Sequence, residues 1–226
     1  MDLTNHREIF DPSKIEGSVA IVGVGALGSM VALNLSKLGV KELCLYDHDT
    51  VDVRNISNQL PYMEEDVGKY KAAVLAERLT QATRIQVEGC TQKVESKIFH
   101  EHVIVCVDSM TARHKIFNDC VMFNMITSHY YEGRMNSDSG AAYALSPSDF
   151  RQVEQYREEL YPDSDVVQER NACGTIKSVG ATASMCASYL TWMFINHSMK
   201  KDYVNEVMFS INPSPRVISR TFEKSI

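Results

Sequence analysis

Residues 19–28 read Val-Ala-Ile-Val-Gly-Val-Gly-Ala-Leu-Gly. A β-branched apolar run ends in Gly23, Gly25 and Gly28 and passes into a helical pattern over 29–38, which is the G-x-G-x-x-G spacing of a strand–turn–helix nucleotide site. Each glycine has a physical task in such a turn. Gly23 permits the tight turn, Gly25 lets backbone N–H groups approach a phosphate, and Gly28 lets the helix lie close on the strand so that its N-terminus faces the anion. A glycine-rich βα turn also serves purely structural ends, so the flanking chain has to decide.

Working outward, Gly39 is placed to stop the first helix, and 42–46 alternates into a second strand closed by Asp47. Asp47 follows Gly28 by 19 residues, where a dinucleotide-type fold sets an acid to accept hydrogen bonds from ribose hydroxyls. A long polar loop, 49–59, comes next, and Gly68-Lys69-Tyr70-Lys71 opens a helix over 72–79. Lysines at a helix start oppose the helix dipole, so either an anion compensates them or they are solvated. Further strands are expected near 85–87 and over 103–107, the latter running into Asp108-Ser109 before a helix over 111–118. In an open parallel sheet, Asp47, Asp108 and the glycine turn would converge on one crevice at the strands' carboxyl ends.

From Met125 the pattern changes to strands over 126–131 and 141–145, separated by a polar stretch from Gly133 to Asp138, so the sheet is expected to continue with antiparallel strands. A charged helix over 148–160, an acidic loop over 161–171, a small-residue-rich apolar helix within 174–195 and a closing hairpin of 207–211 and 216–221 complete the chain. The expected fold class is α/β: a Rossmann-like, mainly parallel sheet with helices on both faces. One domain over 1–226, with a polar arm over 1–18, is the expected organisation.

The composition, 44% hydrophobic and 23% charged, is that of an ordinary globular protein. A formal charge of −6 with no basic run argues against non-specific nucleic-acid binding. The polar start is unlike a signal peptide, and the longest apolar stretch, 181–195, falls short of the ~20 residues that span a bilayer, so a cytoplasmic setting without membrane contact is expected. The six cysteines are dispersed with no C-x-x-C pair, which fits reduced thiols and lacks the usual four-cysteine zinc signature.

Several motifs fall in one order: Gly23-Val24-Gly25-Ala26-Leu27-Gly28, Tyr46-Asp47-His48-Asp49-Thr50-Val51 with Asn55 and Gln59, Gly68-Lys69-Tyr70-Lys71, Val107-Asp108-Ser109 with Arg113, and Cys173-Gly174 ahead of an apolar helix containing Gly180. Together they resemble the ThiF/MoeB-type adenylyltransferases related to ubiquitin-activating enzymes, from about Arg7 to Ile195. The resemblance implies that ATP occupies the glycine-turn crevice and that a carboxylate attacks its α-phosphate, giving an acyl-adenylate and pyrophosphate. It implies that Gly23, Gly25, Gly28, Asp47, Asp49, Asn55, Gln59 and Lys71 bind the nucleotide, with Asp47 on the ribose and Asn55 and Lys71 on phosphates, and that Asp108 holds Mg²⁺ near the reacting centre. Arg7 matches an arginine that the family's amino-terminal arm delivers into the partner subunit's site, which implies a homodimer.

The departures carry information too. Asn58 stands where the family has an arginine, so one cationic contact to the triphosphate is missing unless Arg54 or Lys69 substitutes; Ser109 stands where asparagine is common. The paired C-x-x-C zinc ligands of many members are absent, and no zinc is expected. Cys173 matches a cysteine that in relatives accepts the acyl group as a thioester or persulfide; the alternative is an unreactive loop residue. An NAD-dependent oxidoreductase shares the glycine turn and Asp47 but leaves Lys71 and Asp108 idle, and a non-catalytic scaffold is kept open by Asn58. The acyl substrate is left among the C-terminus of a ubiquitin-like or sulfur-carrier protein, a short peptide and a small carboxylic acid such as a modified tRNA base.

Overall fold

The computed structural model describes residues 1–165 and 178–224. The apolar run after Ser18 forms β1 (Val19–Val22), every residue of it buried, and passes through the glycine turn into α1 (Ala26–Leu38). Gly39 ends α1 in the left-handed region at φ 93°, its N–H returning to the carbonyls of Leu35 and Ser36. There follow β2 (Leu43–Tyr46), α2 (Lys71–Thr83), β3 (Val87–Cys90), β4 (His102–Val105), α3 (Met110–Lys115) with a wide helical turn over Ile116–Val121, β5 (His129–Met135), β6 (Ser139–Leu145), α4 (Phe150–Glu158), α5 (Gly180–Ser198), β7 (Glu206–Ser210) and β8 (Arg216–Arg220).

All eight strands join one sheet in the order β3-β2-β1-β4-β5-β6-β7-β8. The first five are parallel and the last three antiparallel, as the change of pattern after Met125 implied. Alternation along the strands builds two cores. Ile21, Leu45 and Ile104 point to the face covered by α1, α2 and α5, whereas Ala20, Val22, Val103 and Val105 point to the face covered by the wide turn Ile116–Val121 and α4. Strand order reverses between β1 and β4, so a crevice opens beyond their carboxyl ends.

Boundaries that bear on the site differ from the sequence reading. β3 begins at Val87, because Arg84 takes a left-handed conformation at φ 60° to end α2. β4 ends at Val105, leaving Asp108 three residues beyond it in the loop to α3. Gly133, Arg134 and Met135 belong to β5, not to a loop. A Cβ at Gly133 would fall 2.5 Å from Leu27 and 2.7 Å from Leu190, so a glycine is needed where two helices cross the strand, and Arg134 is tolerated inside because Glu132 pairs with it. Residues 166–177, with Cys173 and Gly174, lie outside the described residues. Among the described residues no helix is long and apolar enough to cross a membrane.

The arm packs under the far end of α1. Leu3 approaches Gly39, the His6 ring meets the Leu38 carbonyl at 3.3 Å, and Phe10 is fully buried against Phe194 with ring centroids 6.1 Å apart. Burying one such ring contributes about 1.5–3 kcal/mol, enough to fix the arm.

Candidate functional site

The glycine turn is the best-defined part of the crevice. Gly23 has φ +85°, and a Cβ on it would stand 2.9 Å from the Cys106 carbonyl of the neighbouring strand's extension. A Cβ on Gly28 would lie 1.9 Å from the Gly23 carbonyl, so only glycine lets α1 sit on its own turn. Gly25 differs: a Cβ there would meet nothing nearer than Gln59 Nε2 at 3.9 Å, and as N-cap of α1 it offers no side-chain acceptor. The first N–H groups of α1 thus have no side-chain cap, an arrangement suited to an anion.

Two side chains grip Val24 in the middle of the turn. Asp47, 9% exposed, accepts its N–H through Oδ2 at 2.8 Å, and the Tyr62 hydroxyl donates to its carbonyl at 2.7 Å. Asp47 also accepts the N–H of Asp49 through Oδ1 at 2.9 Å, and its own N–H donates to the Cys90 carbonyl at 3.1 Å. Each carboxylate oxygen keeps a second lone pair for a hydroxyl donor. Tyr62 carried no signal in the sequence, because a buried tyrosine in a loop shows its partner only after folding.

Lys71 is the first residue of α2 and is 7% exposed. Its Nζ reaches Asp49 Oδ2 at 3.3 Å while its N–H donates to the Asp49 carbonyl at 2.9 Å, so the anion that compensates this lysine in the chain itself is Asp49. Asn55 has its side-chain oxygen committed to the Asp52 N–H at 2.9 Å, and Arg54 pairs with Asp52 at 2.9 Å. Gln59 is 8% exposed, and its Oε1 has no partner among the described residues. An unpaired buried acceptor costs about 1–3 kcal/mol, so this amide, beside Gly25, is poised for a donor brought by a ligand. Asn58 donates to the Ser178 hydroxyl and leaves its own Oδ1 unpaired among the described residues.

Asp108 is exposed and has no hydrogen-bond partner among the described residues. The loop that carries it is held from both sides. Arg113, 5% exposed, donates to the carbonyls of Val107 and, at 2.8 Å, Gly133, and pairs with the fully buried Glu132 at 3.0 Å. Burial alone would raise the Glu132 pKa, but Arg113 and Arg134 hold it below the ordinary carboxylate range. Ser109 caps α3 through the Ala112 N–H at 3.0 Å, keeping a cap where asparagine is common. Asp163 accepts the N–H groups of Met110 at 2.7 Å and Thr111 at 3.1 Å, tying the stretch before residue 166 to the start of α3.

Thus Gly23, Gly25, Gly28, Asp47, Asp49, Gln59 and Lys71 gather around the turn, and Asp108 projects from the adjacent strand's loop. Arg7 is not brought there: it is exposed on the arm beside the C-terminus of α1, about 20 Å along a 13-residue helix from the turn. Among the described residues two groups have donor atoms close enough to share a cation: Asp47, His48 and Asp49 at the crevice, and Cys44, Glu88 and Cys90 on β2 and β3.

Residues 14–218 match the ThiF family. The chain belongs to that family. It is 32% identical over 117 residues to the sulfur carrier protein ThiS adenylyltransferase of Escherichia coli strain K12, covering 49% of this chain and 47% of that one. It is 30% identical over 159 residues to ubiquitin-like modifier-activating enzyme 5 of Arabidopsis thaliana, covering 59% of this chain and 36% of the relative. The chain thus aligns with half or less of the length of these curated relatives. Among solved structures, that of E. coli MccB with AMPCPP and MccA superposes with a TM-score of 0.71 at 16% identity, over 95% of this chain and 66% of that one, which establishes the shared fold.

Proposed function

We propose that the chain is an adenylation domain over 1–226 that uses ATP to activate a carboxylate as an acyl-adenylate. The observation that carries this reading is Asp108: a carboxylate without a protein partner among the described residues, on a braced loop beside an open glycine turn. Such a group is held ready for a cation rather than for the fold. The relatives support it, one being described as an adenylyltransferase for a sulfur carrier and another as an activating enzyme for a ubiquitin-like modifier. ThiF membership favours ATP over the NAD-dependent reading.

Phosphoryl-group chemistry asks the protein mainly for positioning and charge neutralisation. The first N–H groups of α1 and the Lys71 ammonium would hold phosphates, with Asn55 alongside, and the free lone pairs of Asp47 would take ribose hydroxyls. The orphaned Gln59 oxygen would receive a nucleotide donor. A substrate carboxylate oxygen attacks the α-phosphorus, a new P–O bond forms, and the bond to the bridging oxygen breaks with pyrophosphate leaving. Asp108 would hold Mg²⁺, which offsets charge on the phosphates. A homodimer would complete the site, since Arg7 lies far from its own turn and is free to reach a neighbour's. Cys173 would receive the acyl group if the reaction proceeds to a covalent stage.

The substrate class proposed is the C-terminus of a ubiquitin-like or sulfur-carrier protein, or of a peptide. Pyrophosphate exchange into ATP tests the reading directly: candidate carboxylates should stimulate it, and Lys71→Ala should raise the ATP concentration it requires. A chain that binds ATP yet exchanges no pyrophosphate with any carboxylate would instead be the scaffold that Asn58 leaves open.

A further inference from the structure

A second cluster of reactive side chains lies behind Asp47, and the adenylation reading does not use it. β3 is one of the two edge strands, and the connection from β3 to β4, residues 91–101, is irregular chain instead of a helix. Under it is a cleft of about 450 Å³, with Tyr46, Cys90 and His100 in its lining. Cys44 and Cys90 come from neighbouring parallel strands, 46 residues apart in sequence, and their sulfurs stand 3.5 Å from each other. Glu88, two residues before Cys90 and paired in register with Cys44, places Oε1 3.9 Å from the Cys90 sulfur. The three donor atoms all lie within 4.8 Å of one another.

Those separations are informative. Metal–sulfur bonds of ~2.3 Å and metal–oxygen bonds of ~2.0–2.2 Å at a tetrahedral centre set donor–donor edges of about 3.5–3.8 Å. Two of the three edges, Cys44–Cys90 at 3.5 Å and Cys90–Glu88 at 3.9 Å, are already near those lengths, along a line from the buried Cys44 through the half-buried Cys90 to the exposed Glu88. Cys90 also lines the cleft, so a fourth position on that side would be open to water or a small ligand. An outer layer is present as well. Tyr46, which neighbours Cys44, bonds His100 Nε2 at 2.9 Å, and His100 Nδ1 meets Ser18 Oγ at 2.9 Å, itself held by Glu101 at 3.0 Å. Chains of this kind orient ligands and carry displaced protons.

We propose that Cys44, Cys90 and Glu88 form a binding site for one thiophilic divalent cation of the zinc type, with an open fourth position toward the cleft. Binding converts both thiols to thiolates and releases two protons. Because the metal competes with these protons for the sulfurs, binding strengthens as the pH rises. The absence of C-x-x-C spacing does not bear on this site, because the sheet, not the sequence interval, pairs the two cysteines.

Titration of the metal-free full-length chain with Co²⁺ tests the proposal. One equivalent should produce sulfur-to-cobalt charge-transfer absorption and the intense visible bands of tetrahedral cobalt, and Zn²⁺ should bleach them. Cys44→Ser and Cys90→Ser should each abolish the charge-transfer band, while Cys173→Ser and Cys120→Ser leave it unchanged. Glu88 is exposed, so Glu88→Gln should fold normally and bind about tenfold or more weakly. No charge-transfer band, a band that survives loss of Cys44 or Cys90 in a folded variant, or unchanged affinity in Glu88→Gln would each overturn the proposal. The titration contains no nucleotide, so its result is independent of the adenylation reading.

Discussion

Asp47 Oδ2 accepts the backbone N–H of Val24 at 2.8 Å. The acid proposed to hold a ribose is thus also the clasp that fixes the glycine turn, and its two roles are separable by measurement. Asp47→Ala leaves a buried N–H unpaired and should lower stability by about 1–3 kcal/mol as well as weaken ATP binding. Asp47→Asn, with an acceptor oxygen restored, should recover part of the stability. Denaturant unfolding and calorimetric ATP titration read the two effects; an alanine variant matching the parent in both would remove Asp47 from turn and site alike.

Asp108 should behave in the opposite way. Its carboxylate is exposed and unpaired among the described residues, so Asp108→Ala should shift stability by no more than about 0.5 kcal/mol while abolishing pyrophosphate exchange. Unchanged exchange would take Asp108 out of the reaction.

Arg7, on the arm at the end of α1 remote from the turn, is proposed to serve a neighbouring subunit. Mixing Arg7→Ala chains with Asp108→Ala chains should then restore one intact site in each mixed dimer, recovering activity that neither variant has alone. Verified mixed dimers without activity would show that Arg7 does not act across an interface.

Cys173 separates two half-reactions. If its thiolate attacks the acyl-adenylate, Cys173→Ala should still exchange pyrophosphate but form no thiol-sensitive adduct with the substrate. Full turnover by the alanine variant would leave the chain an adenylyltransferase only.

Three histidines predict the pH response. His102, His129 and His197 cluster at the amino ends of β4 and β5 and on α5, with ring centroids 4.5 Å and 4.0 Å apart. Burial lowers all three, and with the neighbouring rings adding to it His102 falls to about 4 and His197 to about 3. The unfolded chain therefore binds these protons more readily than the folded one. Stability is fully present above the ordinary histidine pKa of ~6.5 and falls as the pH drops below it, by up to about 1.4 kcal/mol per proton per pH unit. Melting temperature measured from about pH 7.5 to about pH 5 should fall, and His197→Phe should flatten the slope. A slope unaltered by that substitution would assign the acid sensitivity elsewhere.

The sequence by itself determined the βαβ core and the glycine turn at its centre. Glycine spacing, the apolar run of β1, the acid closing β2 and the lysine opening α2 are local patterns, and local patterns fix backbone conformation and burial. The change of rhythm after Met125 likewise announced the antiparallel strands, although the boundaries of β5 were hidden because Gly133 and Arg134 look like loop residues until Leu27, Leu190 and Glu132 surround them. What only the tertiary structure decided were partnerships between distant residues: Tyr62 with Val24, Arg113 with Val107 and Glu132, Asp163 with the start of α3, and Cys44 with Cys90. Strand order and helix placement choose those pairs, and neither is written in the spacing of the residues that meet.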